Sequence, residues 1–221
     1  MTQPEERTRL TYVTDTYCVW CWAFGEALRE FATKNAHRLT VEVLPAGMLV
    51  GERVQPVGEK VRVLETAERV TELTGAQFGE GFRAAVRDGR TVLDSTFPAV
   101  AFQALLEQDP ERGLDIAHAL QKAWYMNGLD WHGDATMAAV ARELGLNAEQ
   151  AVDAFHDPAM LAQAESGFER RKTLPVKGYP TLLVHTPDGP RRIGGATATA
   201  GKLEQDFEAV LRGEELTEDE E

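Results

Sequence analysis

Two thiols sit in Cys18-Val19-Trp20-Cys21, and they are the only cysteines among 221 residues. They follow a strand-like run, Arg9 to Val13, and open a helix-like run, Val19 to Ala36. A pair at this spacing, where a strand turns into a helix, has the chemistry of a redox couple rather than a structural staple. The thiolate is the nucleophile of thiol–disulfide exchange, and a free cysteine is mostly protonated at neutral pH. The first turn of a helix supplies unpaired N–H groups and the positive end of the helix dipole. Cys18 is expected as the exposed attacking thiol. Cys21, one turn on, is expected to resolve a mixed disulfide formed on Cys18.

The helix that must position the pair is legible in its apolar spacing. Cys21, Phe24, Gly25, Leu28, Phe31 and Ala32 recur at helical intervals, with Cys21 on the stripe and Cys18 at its open end. A zinc site is the competing reading. It calls for four Cys or His ligands in paired spacing. The five histidines (His37, His118, His132, His156, His185) are scattered, so no metal is expected.

Around this helix the chain reads as two β-containing blocks flanking a helical one. Leu10–Val13 and Leu39–Leu44 are strand-like, and the helix between them implies a parallel pair. From Gln55 to Lys172 strand signals vanish. Helices are expected over Val57–Leu73, Ala76–Asp88, Pro98–Glu107, Leu114–Asn127, Ala135–Leu144, Ala148–Asp153 and Ala159–Arg171, with Asn147 as an N-cap. Strand character returns at Thr181–His185, followed by a turn, a short strand Arg191–Gly194 and a last helix Ala200–Leu211. The expected division is 1–54 and 173–213 for the two halves of one sheet domain, 55–172 for a helical insertion, and 214–221 for an acidic disordered tail.

A second motif, Lys177-Gly178-Tyr179-Pro180-Thr181, precedes the third long strand, where a proline is tolerated. Together, Asp15-Thr16-Tyr17-Cys18-Val19-Trp20-Cys21-Trp22, the helical insert and Gly178-Tyr179-Pro180-Thr181 resemble the DsbA-like branch of the thioredoxin superfamily. Within it the likeness is to cytoplasmic protein-disulfide isomerases and FrnE-like proteins. The resemblance implies an α/β thioredoxin fold with a large all-helical insertion after the second strand. It also implies a cis Pro180 facing the thiols, and a Tyr179 backbone that pairs with an extended substrate segment. The dipeptide Val19-Trp20 departs from relatives in lacking proline and histidine. With no cation in the loop, the helix terminus is expected to carry the stabilisation of a Cys18 thiolate.

Around the pair, Tyr17, Trp20 and Trp22 are candidates for an apolar lip, with Trp22 leaning toward core packing. Trp124–Gly128 and Asp94–Pro98 could contribute cleft walls, though an aromatic cluster on a helix is more often core. Asp15 reads either as a proton carrier or, preferably, as a turn residue. The site expected is thus Cys18, Cys21 and Pro180 for chemistry, with Tyr179, Trp20 and Tyr17 for substrate.

A net charge of −13 argues against nucleic-acid and anionic-membrane surfaces. The polar start, Met1 to Arg9, carries no signal-peptide pattern, and no apolar run is long enough to span a bilayer, so a cytoplasmic address is expected. The expected activity is exchange with protein or peptide thiols and disulfides, needing no cofactor beyond the Cys18–Cys21 couple, with glutathione a candidate reductant. The alternative is a glutathione-dependent isomerase or transferase of the related kappa-like branch, for which the second cysteine is dispensable.

Overall fold

The computed structural model describes residues 7–216. Residues 1–6 and 217–221, which hold the polar start and most of the acidic tail, lie outside the described residues. In chain order, β1 (Thr8–Thr14), α1 (Val19–Lys34) and β2 (Leu39–Pro45) come first. The long middle segment contributes β3 (Gln55–Pro56), α2 (Val63–Thr74), α3 (Glu80–Asp88), β4 (Val92–Leu93), α4 (Thr96–Gln108), α5 (Gly113–Tyr125), α6 (Asp134–Glu143), α7 (Ala148–Phe155) and α8 (Pro158–Lys172). The chain returns through β5 (Thr181–Thr186), β6 (Gly189–Ile193) and α9 (Ala200–Leu211).

The main sheet runs β2-β1-β5-β6. β1 and β2 are parallel, as the helical crossover between them requires. β5 is antiparallel to both β1 and β6. The architecture is a thioredoxin fold of the DsbA-like kind, a mixed sheet whose second and third long strands are separated by helices.

α1 covers the sheet because its apolar stripe is continuous. Cys21, Phe24, Gly25, Leu28 and Phe31 are all buried. Phe31 meets Phe207 of α9 edge-on, with ring centroids 5.6 Å apart. Full burial of side chains this size stabilises by roughly 1.5–3 kcal/mol each. The outer side of this contact is polar. Arg38 reaches Glu204 and Glu208, both at 2.5 Å, while the Asn35 amide donates to Glu204 at 2.7 Å. α7 starts as its cap predicts, with the Asn147 side chain accepting from the Gln150 N–H at 3.0 Å.

The middle segment corrects two expectations. It is not free of strands, because β3 and β4 form a short antiparallel pair, Gln55 opposite Leu93 and Pro56 opposite Val92. Strands this short have no alternation to read. The first helix starts at Val63 rather than Val57, since Val57–Glu59 is a single 3₁₀ turn and Arg62 adopts a left-handed φ of 64°. Trp124 and Tyr125 belong to the core, the place an aromatic cluster on a helix more often takes. They pack against Phe82 with centroids 5.5 and 5.3 Å away. The chain just beyond them lies so close to α3 that a Cβ on Gly128 would fall 2.2 Å from the Gly81 carbonyl oxygen. At the other end, Glu214 is not loose. Its side chain takes two hydrogen bonds from Arg212, and its backbone carbonyl accepts from Arg191.

Candidate active site

Antiparallel pairing of β1 with β5 sets Val13 opposite Thr181. The loop leaving β1 carries Cys18, and the loop entering β5 carries Tyr179 and Pro180. The two motifs, far apart in the chain, therefore meet at one end of the two central strands. The Tyr179–Pro180 peptide is cis. The Cys18 sulfur lies 3.7 Å from the Tyr179 carbonyl oxygen. The Thr181 hydroxyl closes the Tyr179 loop by donating to the Gly178 carbonyl at 2.7 Å.

Cys18 is the N-cap of α1, extended at φ −86° and ψ 108°. No side chain caps the helix and no acidic residue occupies its first turn. The cysteine sulfur thus sits at the positive helix end without a competing anion. Both cysteines are present as thiols, and their side chains are in hydrogen-bonding contact. Cys21 is fully buried. That burial pushes its thiol well above the ordinary value, and contact with Cys18 adds to the shift. The Tyr12 hydroxyl donates to the Cys21 carbonyl at 3.3 Å and receives the Thr14 hydroxyl at 3.1 Å. From the insert, the Gln121 amide reaches Thr14 Oγ1 and the Asp15 carbonyl, both at 3.3 Å.

Cys18 is more recessed than its expected exposed role. It is 6% accessible, because the Tyr179 loop lies over it. Tyr17 is likewise not a lip. It is buried, its ring meets Trp124 edge-on at 5.6 Å, and its hydroxyl is buried without a hydrogen-bond partner. Trp20 stays half-exposed beside the thiols. Trp22 packs against the insert, stacked on His118 at 5.0 Å and donating to the Gln77 carbonyl at 2.9 Å. Tyr179 is half-buried on a small cluster of Val13, Leu44 and Ala46.

Asp15 has the geometry of a turn clasp. Its Oδ1 accepts from the Tyr17 N–H at 3.0 Å and the Ser95 hydroxyl at 2.9 Å, and its Oδ2 accepts from the Met48 N–H at 2.8 Å. Burial raises this carboxyl above its ordinary value, while the three hydrogen bonds oppose the rise. One side chain thus ties the thiol loop, the chain after β2 and the start of α4.

The electrostatics contain a residue that local sequence could not reveal. Lys60, half-buried in the insert, lies within electrostatic reach of Asp15 and Cys18. Burial lowers its pKa, and the two anionic groups work against that lowering. Ser95 and Gln121 also escaped sequence reasoning. Only the fold brings them to the loop, and no spacing in the chain signals it. Among the described residues no cluster of three His, Cys, Asp or Glu side chains is placed to hold a metal.

This geometry has relatives. A family described as "DSBA-like thioredoxin domain" matches residues 9–206. The chain is similar in structure to a candidate protein disulfide isomerase from Nitrosomonas europaea, with a TM-score of 0.78 and 21% identity, over 94% of this chain and 99% of that one. It is also similar to the cytosolic disulfide reductase DsbM from Pseudomonas aeruginosa, with a TM-score of 0.76 and 25% identity, over 93% and 97%. The same reductase solved with GSH aligns with a TM-score of 0.70 at 25% identity, over 93% and 98%. No curated protein matches the chain.

Proposed function

Since the chain belongs to the DSBA-like thioredoxin domain family, we propose that it is a dithiol–disulfide oxidoreductase acting on protein or peptide disulfides. The observation that carries this reading is the placement of the Cys18 sulfur. It sits at the mouth of α1 and 3.7 Å from the Tyr179 carbonyl, with Cys21 buried directly behind it.

In the reductive direction the Cys18 thiolate attacks one sulfur of the substrate disulfide. The S–S bond breaks, a mixed disulfide forms on Cys18, and the other substrate sulfur departs as a thiolate. Cys21 then attacks the Cys18 sulfur. Its proton leaves with the departing thiolate, and a Cys18–Cys21 disulfide remains. Two electrons pass from the couple to the substrate. The Tyr179 loop, just before β5 enters the sheet, offers backbone groups to an extended peptide, in the manner of strand addition.

Reduction in the cytoplasm is the direction we favour. DsbM, the cytosolic disulfide reductase at 25% identity, supports it, as does a Val19-Trp20 dipeptide carrying no charge to stabilise the reduced form. The test is turnover of insulin disulfides together with the couple's equilibrium against a glutathione buffer. Turnover with a potential well below the strongly oxidising range is expected. A couple that cannot be cycled between dithiol and disulfide would sink the reading.

A second reading, a glutathione-dependent isomerase or transferase, is favoured by the GSH-bound form of DsbM. Cys21→Ser separates the two. Transferase-like activity survives this change, whereas dithiol turnover collapses.

A further inference from the structure

The geometry points to the Thr14 and Tyr12 hydroxyls as the donors that hold the Cys21 sulfur while it resolves a mixed disulfide, with Gln121 of the insert as the positioning residue that aims them. This rests on the dithiol reading above and assigns the hydrogen bonding of its second step.

That step needs donors inside the protein. Cys21 is fully buried, yet it must attack as a thiolate. A charge that forms away from water is stabilised by fixed dipoles already in place. Tyr12, Thr14 and Gln121 are buried around it. The Thr14 and Tyr12 hydroxyls both make hydrogen-bonding contact with the Cys21 sulfur. Burial raises the Tyr12 pKa well above the ordinary value, so its hydroxyl keeps its hydrogen and remains a donor.

Two backbone carbonyls fix how the hydrogens run, because a carbonyl oxygen only accepts. The Gln121 group 3.3 Å from the Asp15 carbonyl is therefore its NH₂. The same nitrogen lies 3.3 Å from Thr14 Oγ1, so its two hydrogens are spent on these two oxygens. Thr14 accepts from the insert and turns its own hydrogen the other way, to the Tyr12 oxygen at 3.1 Å. Tyr12 passes its hydrogen to the Cys21 carbonyl at 3.3 Å. Each group donates to the next, and the run ends on the resolving residue. A chain of one direction polarises along its length. Gln121 lies on a face of α5 with Ile116, Leu120 and Trp124, where a polar group is costly unless bonded, and its NH₂ is spent on the thiol loop.

With the thiol neutral, the hydroxyl hydrogens rest on oxygen, as in this structure. An ionised sulfur is the stronger acceptor, and each hydroxyl reaches it by rotating about its own C–O bond. Neither oxygen gives up a proton. A Cys21–Cys18 bond forms, the bond from Cys18 to the substrate sulfur breaks, and the leaving sulfur takes the electron pair and the proton that Cys21 gave up.

The test follows single turnover of the reduced full-length protein with excess dithiodipyridine, a small neutral disulfide that releases one absorbing thione at each exchange. The first release reports Cys18 and the second reports Cys21. In Thr14→Val the ratio of second to first rate is expected to fall about tenfold, the size of a hydrogen bond to a charged group, and its rise with pH to move to more alkaline solution. Thr14→Ser restores both. Gln121→Leu, which keeps the hydroxyls and removes their anchor, lowers the ratio about threefold. Tyr12→Phe loses one hydroxyl and nothing else, and it lowers the ratio severalfold; it decides the matter if Thr14→Val does not fold. A ratio and pH profile unchanged in the folded Val or Phe variant, or a ratio in Thr14→Ser as low as in Thr14→Val, overturns the assignment and leaves the dithiol reading standing. A parent protein that releases one thione and stops overturns both.

Discussion

The Cys18 sulfur and the Tyr179 carbonyl oxygen face each other at 3.7 Å, joining the end of the β1 loop to the start of β5. One end is the side chain of the α1 N-cap residue and the other is backbone, so the Tyr179 side chain is not involved. On the dithiol reading proposed above, a substrate sulfur approaches through the narrow opening beside it.

Burial divides the two thiols, Cys18 being slightly accessible and Cys21 fully enclosed. At neutral pH a small alkylating reagent is expected to label Cys18 in the folded, reduced protein and to leave Cys21 untouched. Burial raises the Cys21 pKa, so its labelling should rise only in strongly alkaline solution or on unfolding. Mass spectrometry of peptides after timed alkylation reads this directly. Equal labelling of both sulfurs in the native protein contradicts it. In Cys21→Ser protein, mixed disulfides with substrate should accumulate.

Lys60 lies within electrostatic reach of Cys18 from the insert, so its charge should speed thiolate chemistry. Lys60→Gln is expected to slow alkylation of Cys18 about threefold at low ionic strength, by the size of a screened interaction near a surface. The difference should shrink with added salt. A rate independent of both charge and salt means that the ammonium does not act on the sulfur.

Asp15→Ala leaves the donors of Tyr17, Met48 and Ser95 without their acceptor. Loss of about 3 kcal/mol is expected from urea unfolding. The pH dependence has a definite sign. Burial raises the Asp15 pKa in the folded state, so the folded protein holds this proton more tightly than the unfolded chain. The contribution from this group is full below the unfolded value near 4 and falls as pH rises through the folded value. The stability gap between parent and variant should therefore be widest in acid and narrow upward.

Glu204 titrates in the opposite sense. Hydrogen bonding from Asn35 lowers its pKa, with Lys34 and Arg38 adding to the effect. Glu204→Gln is expected to cost about 1 kcal/mol at neutral pH. That cost should shrink as pH falls below the unfolded carboxyl's value near 4 and vanish only once pH has dropped through the lowered folded value. Paired denaturation curves at two pH values measure it.

The scaffold of the site was readable where a period or a cap was long enough to register. The stripe from Cys21 to Phe31 is buried as its spacing requires, and α9 spans Ala200–Leu211 as expected. β3 and β4 were invisible, since strands of two residues carry no pattern. Direction was harder than type. Tyr17 and Trp20 are both aromatics beside Cys18, but only packing on Trp124 decides that Tyr17 points inward. Lys60, Ser95 and Gln121 reach the thiol loop through tertiary placement alone, and residues of their kinds occur throughout the chain.

The register of Val13 against Thr181 separates two tasks within the molecule. That single ladder step brings the sulfurs and the proline loop face to face, however many residues intervene between β2 and β5. Most of the intervening stretch is therefore at liberty to lengthen or shorten while the reacting atoms keep their mutual distance, whereas Ser95, Gln121 and Lys60, which reach the thiol loop from it, tie that part of the stretch to the sulfur.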